Sequence, residues 1–280
     1  MKTTAELAAE QAAYWNGPGG EGWLAAYERI QRAIGEIGEL ALSAAAARPG
    51  EHVVDIGCGT GSTTAALARA VGPRGHVLGV DISEPLVAAA RAQRPENATF
   101  AVGDAASHPF EEHAHDLVFS RFGVMFFADP VTAFRNIHRA LKPGGRLVFV
   151  AWRTAQENPW GTTPVRAAQP FLPPQPRPGP DDPGQFSFGD RARVERILTQ
   201  AGFDALKLEP VDRLIWMGDS VADVVAGAGR FGPLARAFAG AEPTAIERAK
   251  QAIAAALEPH AKPDGVRLPG ACWLVEAKAS

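Results

Sequence analysis

The sequence has no long apolar run, no cluster of Lys or Arg and almost no cysteine. No stretch of about 18 apolar residues occurs, and no basic-then-apolar signal opens the chain, so we expect a cytoplasmic protein that does not enter membranes. The 28 basic and 31 acidic residues leave a net charge of -3, which argues against an electrostatic grip on nucleic acid. The two cysteines, Cys58 and Cys272, suit neither a metal site nor a disulfide framework, so no metal is expected.

The composition is that of an ordinary folded protein. Of the 280 residues, 46% are apolar and 21% are charged, which is typical of globular rather than disordered chains. This length allows about two domains, although α/β enzymes often keep it as one core with insertions. We therefore expect a single domain over residues 1–280.

A glycine-rich turn at residues 53–61 (VVDIGCGTG) is the most informative segment. Its first residues predict a buried parallel strand, and the glycines let the backbone turn sharply and approach a ligand. A side chain at Gly57 or Gly59 is expected to occupy the space of that ligand. We interpret Cys58 as a small residue that fills the turn, in preference to a nucleophile. The turn predicts a nucleotide-like ligand.

The glycine spacing separates two large families. A dinucleotide-binding turn has the pattern G-x-G-x-x-G, whereas here the third glycine, Gly61, comes one position early and Ser62 stands in its place. The pattern D-x-G-x-G-x-G, beginning at Asp55, resembles that of the class I S-adenosylmethionine-dependent methyltransferases. An NAD-dependent oxidoreductase remains an alternative, because it shares the strand, the turn and an acidic residue at the end of the next strand.

The following strands strengthen this resemblance. Apolar runs at residues 76–81, 98–105, 115–120 and 141–150 predict strands two to five, and the second and third end in acidic residues. The resemblance extends from Val53 to Trp152. It is greatest to the ubiquinone and menaquinone C-methyltransferase group and its secondary-metabolite relatives, which methylate small molecules at C, N or O.

The resemblance implies a Rossmann-like α/β fold with a doubly wound, mostly parallel sheet of seven strands in the order 3-2-1-4-5-7-6. The last strand is expected to be antiparallel, between the two before it. The predicted helices of the core cover residues 62–70, 84–93 and 131–140. Beyond them the pattern predicts a helix, a strand, two helices and a final strand, at residues 191–200, 203–211, 221–239, 244–257 and 266–277.

Four segments are expected along the domain. Residues 1–47 form a helical cover, broken at residues 16–20 into a short helix and a longer one. Residues 48–157 form the cofactor-binding core, 158–190 a lid insertion, and 191–280 the rest of the core with a helical insertion.

Prolines dominate the predicted lid. They recur at positions 159, 164, 170, 173, 174, 176, 178, 180 and 183, and because proline has no backbone donor we expect no regular helix there. Long connections of this kind are lids or linkers. We favour a cover for the active site over a passive linker.

The resemblance also implies which residues bind S-adenosylmethionine and its product S-adenosylhomocysteine. Asp55 is expected to receive the methionine ammonium, Asp81 to accept both ribose hydroxyls, and Asp104 with Ala105 to contact the adenine. Hydroxyls near the start of the following helix either meet the ligand carboxylate or cap the helix. The full predicted set is Asp55, Gly57, Cys58, Gly59, Thr60, Gly61, Thr64, Asp81, Ile82, Gly103, Asp104, Ala105, Ser120 and Arg121.

Residues 120–127 follow the fourth strand, where ligands of open parallel sheets bind. Arg121 either holds an anionic acceptor group or is a capping or surface salt-bridge arginine. The segment lacks the Asn/Asp-Pro-Pro-aromatic motif of many amino-methylating enzymes, which disfavours nucleobases and glutamine amides as acceptors.

Aromatic side chains are expected to line an apolar acceptor pocket, with core packing as the alternative for each. They are Tyr14, Trp15, Phe122, Trp152, Trp160 and Phe188. No catalytic residue is predicted, because a sulfonium methyl group is already activated and positioning alone contributes a large part of the rate. For the same reason a non-catalytic S-adenosylmethionine-binding protein remains a second alternative.

Overall fold

A computed structural model describes residues 2–93, 95–175, 179, 181–230 and 232–280. One mixed sheet forms the centre of the molecule. Its strands are β1 (His52–Ile56), β2 (His76–Asp81), β3 (Ala98–Val102), β4 (His115–Arg121), β5 (Leu141–Trp152), β6 (Phe203–Gly218), β7 (Ala261–Lys262) and β8 (Gly265–Ala279).

The strand order is β3-β2-β1-β4-β5-β8-β6, with the two-residue β7 paired to β8 outside this path. The first five strands are parallel, and β8 runs antiparallel between β5 and β6. The predicted Rossmann-like fold and strand order are therefore confirmed, with β7 as an unpredicted addition. The chain reverses direction across the sheet beside β1 and β4, and ligands of such sheets bind at the carboxyl ends of these strands.

Eleven helices occur within the described ranges. They are α1 (Thr4–Trp15), α2 (Pro18–Ala25), α3 (Tyr27–Ala45), α4 (Ser62–Val71), α5 (Glu84–Ala92), α6 (Pro130–Ala140), α7 (Pro159–Ala168), α8 (Arg191–Ala201), α9 (Val221–Gly227), α10 (Gly232–Ala239) and α11 (Pro243–Leu257). Side chains of Ser83, Asp129 and Asp190 cap α5, α6 and α8, as their short polar groups favour. The helices predicted in these places are confirmed to within one or two residues.

The N-terminal region was predicted wrongly as two helices, because it contains three. The glycines after Asn16 do not end the helical structure, and α2 runs through Gly19 and Gly20. A Cβ at Gly19 would collide with the Tyr14 ring, and one at Gly20 with the carbonyl of Trp15. These glycines therefore let α2 pack closely against the end of α1, which a local propensity argument does not detect.

Two further boundaries differ from the prediction. The helix expected over residues 221–239 is divided into α9 and α10, because Ala228 is extended and Gly229 has a φ of 86°. Strand β6 continues to Gly218, beyond the predicted end at Val211, and pairs with β8 over most of this length. The pairing with a distant strand, rather than the local pattern, determines where β6 ends.

The expectation that no helix forms in the proline-rich segment is wrong for its first part. Helix α7 begins with Pro159 and contains Pro164. A proline in the first turn has no intrahelical bond to lose, while Pro164 is buried and its helix packs on α11. Packing thus offsets the lost backbone bond. Prolines 176, 178 and 180 lie outside the described residues.

The apolar side chains form two clusters. The larger lies on both faces of the sheet and includes the centres of β1, β4 and β5. The smaller joins α7, α9 and α11 to the start of β8. Half-buried Trp160 and Met217 contact both clusters. They mark the junction between the sheet and the C-terminal helices, close to the carboxyl end of β5.

Candidate functional site

The glycine turn joins β1 to α4. Gly57 has a φ of 66° and Gly59 a φ of 55°, in the left-handed region that favours glycine. A Cβ at Gly57 would lie 2.8 Å from the Gly123 Cα, whereas the nearest atom to a Cβ at Gly59 is Trp23 Nε1 at 3.9 Å. Gly59 therefore borders open space, while Gly57 is needed for the close approach of two backbone segments.

Asp81 ends β2 and holds the turn in place. Its Oδ2 accepts the Gly59 N–H at 2.8 Å, and its Oδ1 accepts the Ser83 N–H at 2.9 Å. Burial raises the pKa of this carboxyl group, and the backbone N–H groups oppose that effect. Each oxygen keeps lone pairs for a further donor. The carboxylate thus lies at the predicted strand end, beside the turn.

Asp55 is 0% exposed near the end of β1. Its Oδ2 accepts the hydroxyls of Thr63 and Thr64, each at 2.7 Å, but its Oδ1 has no partner among the described residues. Burial raises the pKa of this carboxyl group to about 6. A buried carboxylate oxygen without a donor is costly, so the site suits a cationic or hydrogen-bonding ligand group.

Thr64 was predicted to contact the ligand, with helix capping as the alternative, but its hydroxyl is already donated to Asp55. Thr64 is completely buried, so it orients the carboxylate. Cys58 is also buried, and burial raises the pKa of its thiol well above the usual value. The side chain packs near Gly79 of β2, which agrees with a residue that fills the turn.

Arg121 ends β4 and lies beneath α3. Its guanidinium donates to Gln31 Oε1 at 3.0 Å and to Ser62 Oγ at 3.1 Å. A Cβ at Gly38 of α3 would lie 3.0 Å from the Arg121 Cδ, so the glycine makes room for this side chain. Burial lowers the pKa of the guanidinium, and the charge of Asp55 opposes this shift. The alternative of a surface or capping arginine is wrong.

The remaining predicted residues of β2 and β4 make mainly structural contacts. The Ser120 hydroxyl is buried, donates to the Ile56 carbonyl and accepts the Gly123 N–H. It therefore joins the ends of β1 and β4. The Ile82 carbonyl accepts the side-chain amide of Asn16, and the Thr60 carbonyl accepts that of Gln93. The backbone of these residues, rather than a reactive side chain, borders the site.

The loop after β3 is held by its own hydrogen bonds. Gly103 donates its N–H to the Asp81 carbonyl, and the Asp104 side chain accepts the Ala106 N–H. Ala105 is buried, and its carbonyl accepts from Asn136 of α6. The loop thus has a defined shape next to the end of β2, where the adenine contact was predicted.

The N-terminal helices cross the carboxyl edge of the sheet. The Ser83 hydroxyl donates to the Trp15 carbonyl, and Asn16 accepts the Glu84 N–H. The Trp15 ring packs edge-on against Trp23 and Phe126. Sequence reasoning missed Trp23, although the tryptophan lies in a glycine-rich helix directly after the predicted break. The predicted convergence of the N-terminal aromatics with this edge is confirmed for Trp15.

A second aromatic group follows β4 and β5. Phe122 stacks on Trp152 at a centroid distance of 4.4 Å, and Trp152 contacts Trp160 at 4.6 Å. Phe122 has a φ of 62°, an unusual conformation for a bulky residue and one that occurs at functional sites. Phe122 and Trp152 are only 6% and 3% exposed. Of the three rings, half-buried Trp160 is thus the one with surface to offer.

Asn158 fixes Trp160. Its side chain is fully buried, accepts the Trp160 Nε1–H at 3.0 Å and exchanges two hydrogen bonds with the backbone of Ala271 in β8. Sequence reasoning missed this residue, and no local signal identifies it. The indole is therefore held in one orientation by the centre of the sheet.

Phe188 was predicted wrongly as a pocket residue. It is 1% exposed and packs against Phe134 of α6 and Phe149 of β5, within the larger apolar cluster. The preceding residues do approach the site, because the Gly184 N–H and the Ser187 hydroxyl both donate to the Met125 carbonyl, at 3.0 and 2.7 Å. The proline-rich segment thus ends beside the turn that follows β4.

Two searches of the described residues bear on ligands and membranes. None of the helices there is both long and apolar enough to cross a membrane. In the same ranges, no three His, Cys, Asp or Glu side chains come together in a way that suits a metal ion.

The comparisons with known proteins agree with this geometry. Residues 54–149 match the family model described as a methyltransferase domain. The demethylmenaquinone methyltransferase of Staphylococcus aureus (strain JH9) is 40% identical over 103 residues, which are 36% of this chain and 43% of that protein. The chain thus spans less than half the length of the curated relatives that it matches. The predicted resemblance to class I methyltransferases, including the menaquinone group, is confirmed over this core.

Solved structures extend the likeness of fold to most of the chain. The YcgJ protein from Bacillus subtilis has a TM-score of 0.54 and 20% identity, over 86% of this chain and 97% of that one. Phosphoethanolamine N-methyltransferase 2 of Haemonchus contortus, solved with phosphomonomethylethanolamine and S-adenosylhomocysteine, has a TM-score of 0.53 and 21% identity, over 87% and 52%. At these identities the comparison establishes the fold alone.

Proposed function

We propose that the protein transfers a methyl group from S-adenosylmethionine to a small-molecule acceptor. The observation that carries this proposal is the unpartnered, buried Oδ1 of Asp55 beside the open side of Gly59 and the carboxylate of Asp81. These groups suit, in order, an ammonium, a close-lying ligand chain and a pair of ribose hydroxyls. The relative from Haemonchus contortus, which binds S-adenosylhomocysteine, has the same fold.

The residues of the chain would act by binding, orienting and shielding. When bound, the cofactor supplies a methyl group that is already activated by its sulfonium charge. Asp55, Asp81 and the backbone at Gly59 would hold it at the ends of β1 and β2. The loop of Asp104 and Ala105 would border its base. No general base is assigned, because holding the acceptor near the methyl carbon contributes on the order of 7 to 11 kcal/mol by itself.

The acceptor would lie between the N-terminal helices and the junction at Trp160. The Trp15, Trp23 and Phe126 rings on one side and Trp160 on the other favour a planar or apolar molecule. The small net charge of -3 supports a small molecule rather than nucleic acid. The free thiols of Cys58 and Cys272 suit a reducing cytoplasm.

The proposal is tested by ligand-dependent melting and by methyl transfer. S-adenosylhomocysteine at about 100 times its dissociation constant should stabilise the protein by about 2.7 kcal/mol, and NAD should not. Incubation with labelled S-adenosylmethionine and a metabolite extract should label a small molecule. Stabilisation by NAD alone would show an oxidoreductase instead, and cofactor binding without any labelled product would favour a non-catalytic binding protein.

We further propose that the proline-rich segment is a lid over the acceptor. Its support is the anchoring of Gly184 and Ser187 to Met125 and of Trp160 to Asn158. Trp160→Ala should reduce methyl transfer at least tenfold while S-adenosylhomocysteine affinity changes little, because the indole would shape the acceptor pocket without touching the cofactor. The measurements are turnover and calorimetry.

The matched control for the lid is Phe171→Ala. Phe171 is a half-buried aromatic residue of the same segment, but it packs in the smaller apolar cluster. It should lower the melting temperature with little effect on turnover of the folded protein. Equal loss of turnover in both variants, or normal turnover in Trp160→Ala, would identify the segment as a passive linker.

A further inference from the structure

An arginine without an opposite charge in contact lies inside the proposed cofactor site. Arg121 donates only to the neutral side chains of Gln31 and Ser62, and no carboxylate of the described residues lies within ion-pair distance of it. Burial lowers the pKa of its guanidinium, which reflects the cost of desolvating the charge. An unpaired, desolvated guanidinium is stabilised when an anion binds.

The start of α4 adds donors at the same place. Helix α4 has ten residues, follows Gly61, and has no side chain that caps its first turn. The free N–H groups of a helix N-terminus attract anions. Ser62, the first residue of α4, accepts a bond from Arg121, so the guanidinium lies beside these N–H groups.

A second buried charge of opposite sign selects the kind of anion. Asp55 has an unpartnered Oδ1, and its charge acts on Arg121. Thr63 and Thr64, the next residues of α4, bind the other carboxylate oxygen. One acidic and one basic side chain at the same helix start match a zwitterion, with an ammonium at Asp55 and a carboxylate at Arg121.

We propose that Arg121, with the Ser62 hydroxyl and the first N–H groups of α4, binds the carboxylate of the cofactor's amino-acid end. This rests on the proposed function and deepens it. Arg121 is then a binding residue for the cofactor and not a ligand for an anionic acceptor. Gln31 and Gly38 make α3 the roof of this carboxylate site, so the N-terminal cover takes part in cofactor recognition.

The test compares three ligands by calorimetry. S-adenosylhomocysteine carries both charged groups, decarboxylated S-adenosylmethionine keeps only the amino group, and 5′-methylthioadenosine has neither. In Arg121→Met, affinity for S-adenosylhomocysteine should fall by about 30-fold or more, while affinity for the other two should stay within about threefold. Binding of 5′-methylthioadenosine also shows that the variant site is folded. Arg135→Met, which removes an exposed guanidinium on α6, should change none of the three.

Other outcomes would overturn the inference. Equal losses for all three ligands would mean that Arg121 only supports the fold. Unchanged affinity for S-adenosylhomocysteine, with lost turnover at saturating cofactor, would assign the arginine to an anionic acceptor. If the wild-type protein bound none of the three ligands, the proposed function itself would fail, which is a distinct result from a selective effect in the variant.

Discussion

Gly59→Val should abolish cofactor binding while leaving a folded protein. The glycine borders open space, since the nearest atom to its added Cβ is Trp23 Nε1 at 3.9 Å, and that space is where the proposed ligand passes. The left-handed φ of 55° makes valine cost about 1 to 2 kcal/mol of stability. We therefore expect a modestly lower melting temperature and complete loss of the stabilisation by S-adenosylhomocysteine.

Gly57→Ala is the matched comparison for Gly59→Val. Its Cβ would lie 2.8 Å from the Gly123 Cα, and backbone cannot move aside cheaply, so overpacking of about 1 to 3 kcal/mol adds to the conformational cost. The expectation that both glycines border the ligand is thus corrected for Gly57. Gly59→Val that still responds to S-adenosylhomocysteine in thermal melts would place the ligand elsewhere.

Asp81→Ala should have the second largest effect. Removing the carboxylate would delete the acceptor of two proposed ribose hydroxyl bonds, each contributing about 1.5 to 3 kcal/mol. It would also free the N–H groups of Gly59 and Ser83, and so loosen the turn. Calorimetry should show at least a hundredfold weaker S-adenosylhomocysteine binding.

Two controls separate these effects of Asp81. Asp81→Asn keeps the shape and one acceptor oxygen, so its affinity should fall between those of the wild type and Asp81→Ala. Asp116→Asn alters a carboxylate at the opposite end of β4, where it pairs with Lys142, and should leave affinity unchanged. Wild-type affinity in Asp81→Ala would mean that the ribose is held by other groups.

The core of the fold follows closely from local patterns. Apolar runs of the right length end at Asp55 and Asp81 or close to them, and polar caps such as Asp129 precede the helices. Each of these signals involves residues within a few positions, so periodicity and capping chemistry predict them. The order of the strands came from the family resemblance.

The errors occurred where distant partners decide. Helix α7 forms despite Pro164, because it packs on α11 about eighty residues later in the chain. Phe188 looks like a lid aromatic by its position, but Phe134 and Phe149 draw it into the core. Local propensity contains no information about such contacts.

The sequence by itself determined the class of ligand and the strand ends that meet it, because the glycine spacing and the acidic residues depend on backbone geometry over a few positions. Only the tertiary structure decided how each side chain is used. It separated Gly59 from Gly57, assigned Thr64 to Asp55, and placed Arg121 beneath α3. The physical reason is that each role depends on a neighbour from another element, and burial and charge at the site exist only once those elements have packed together.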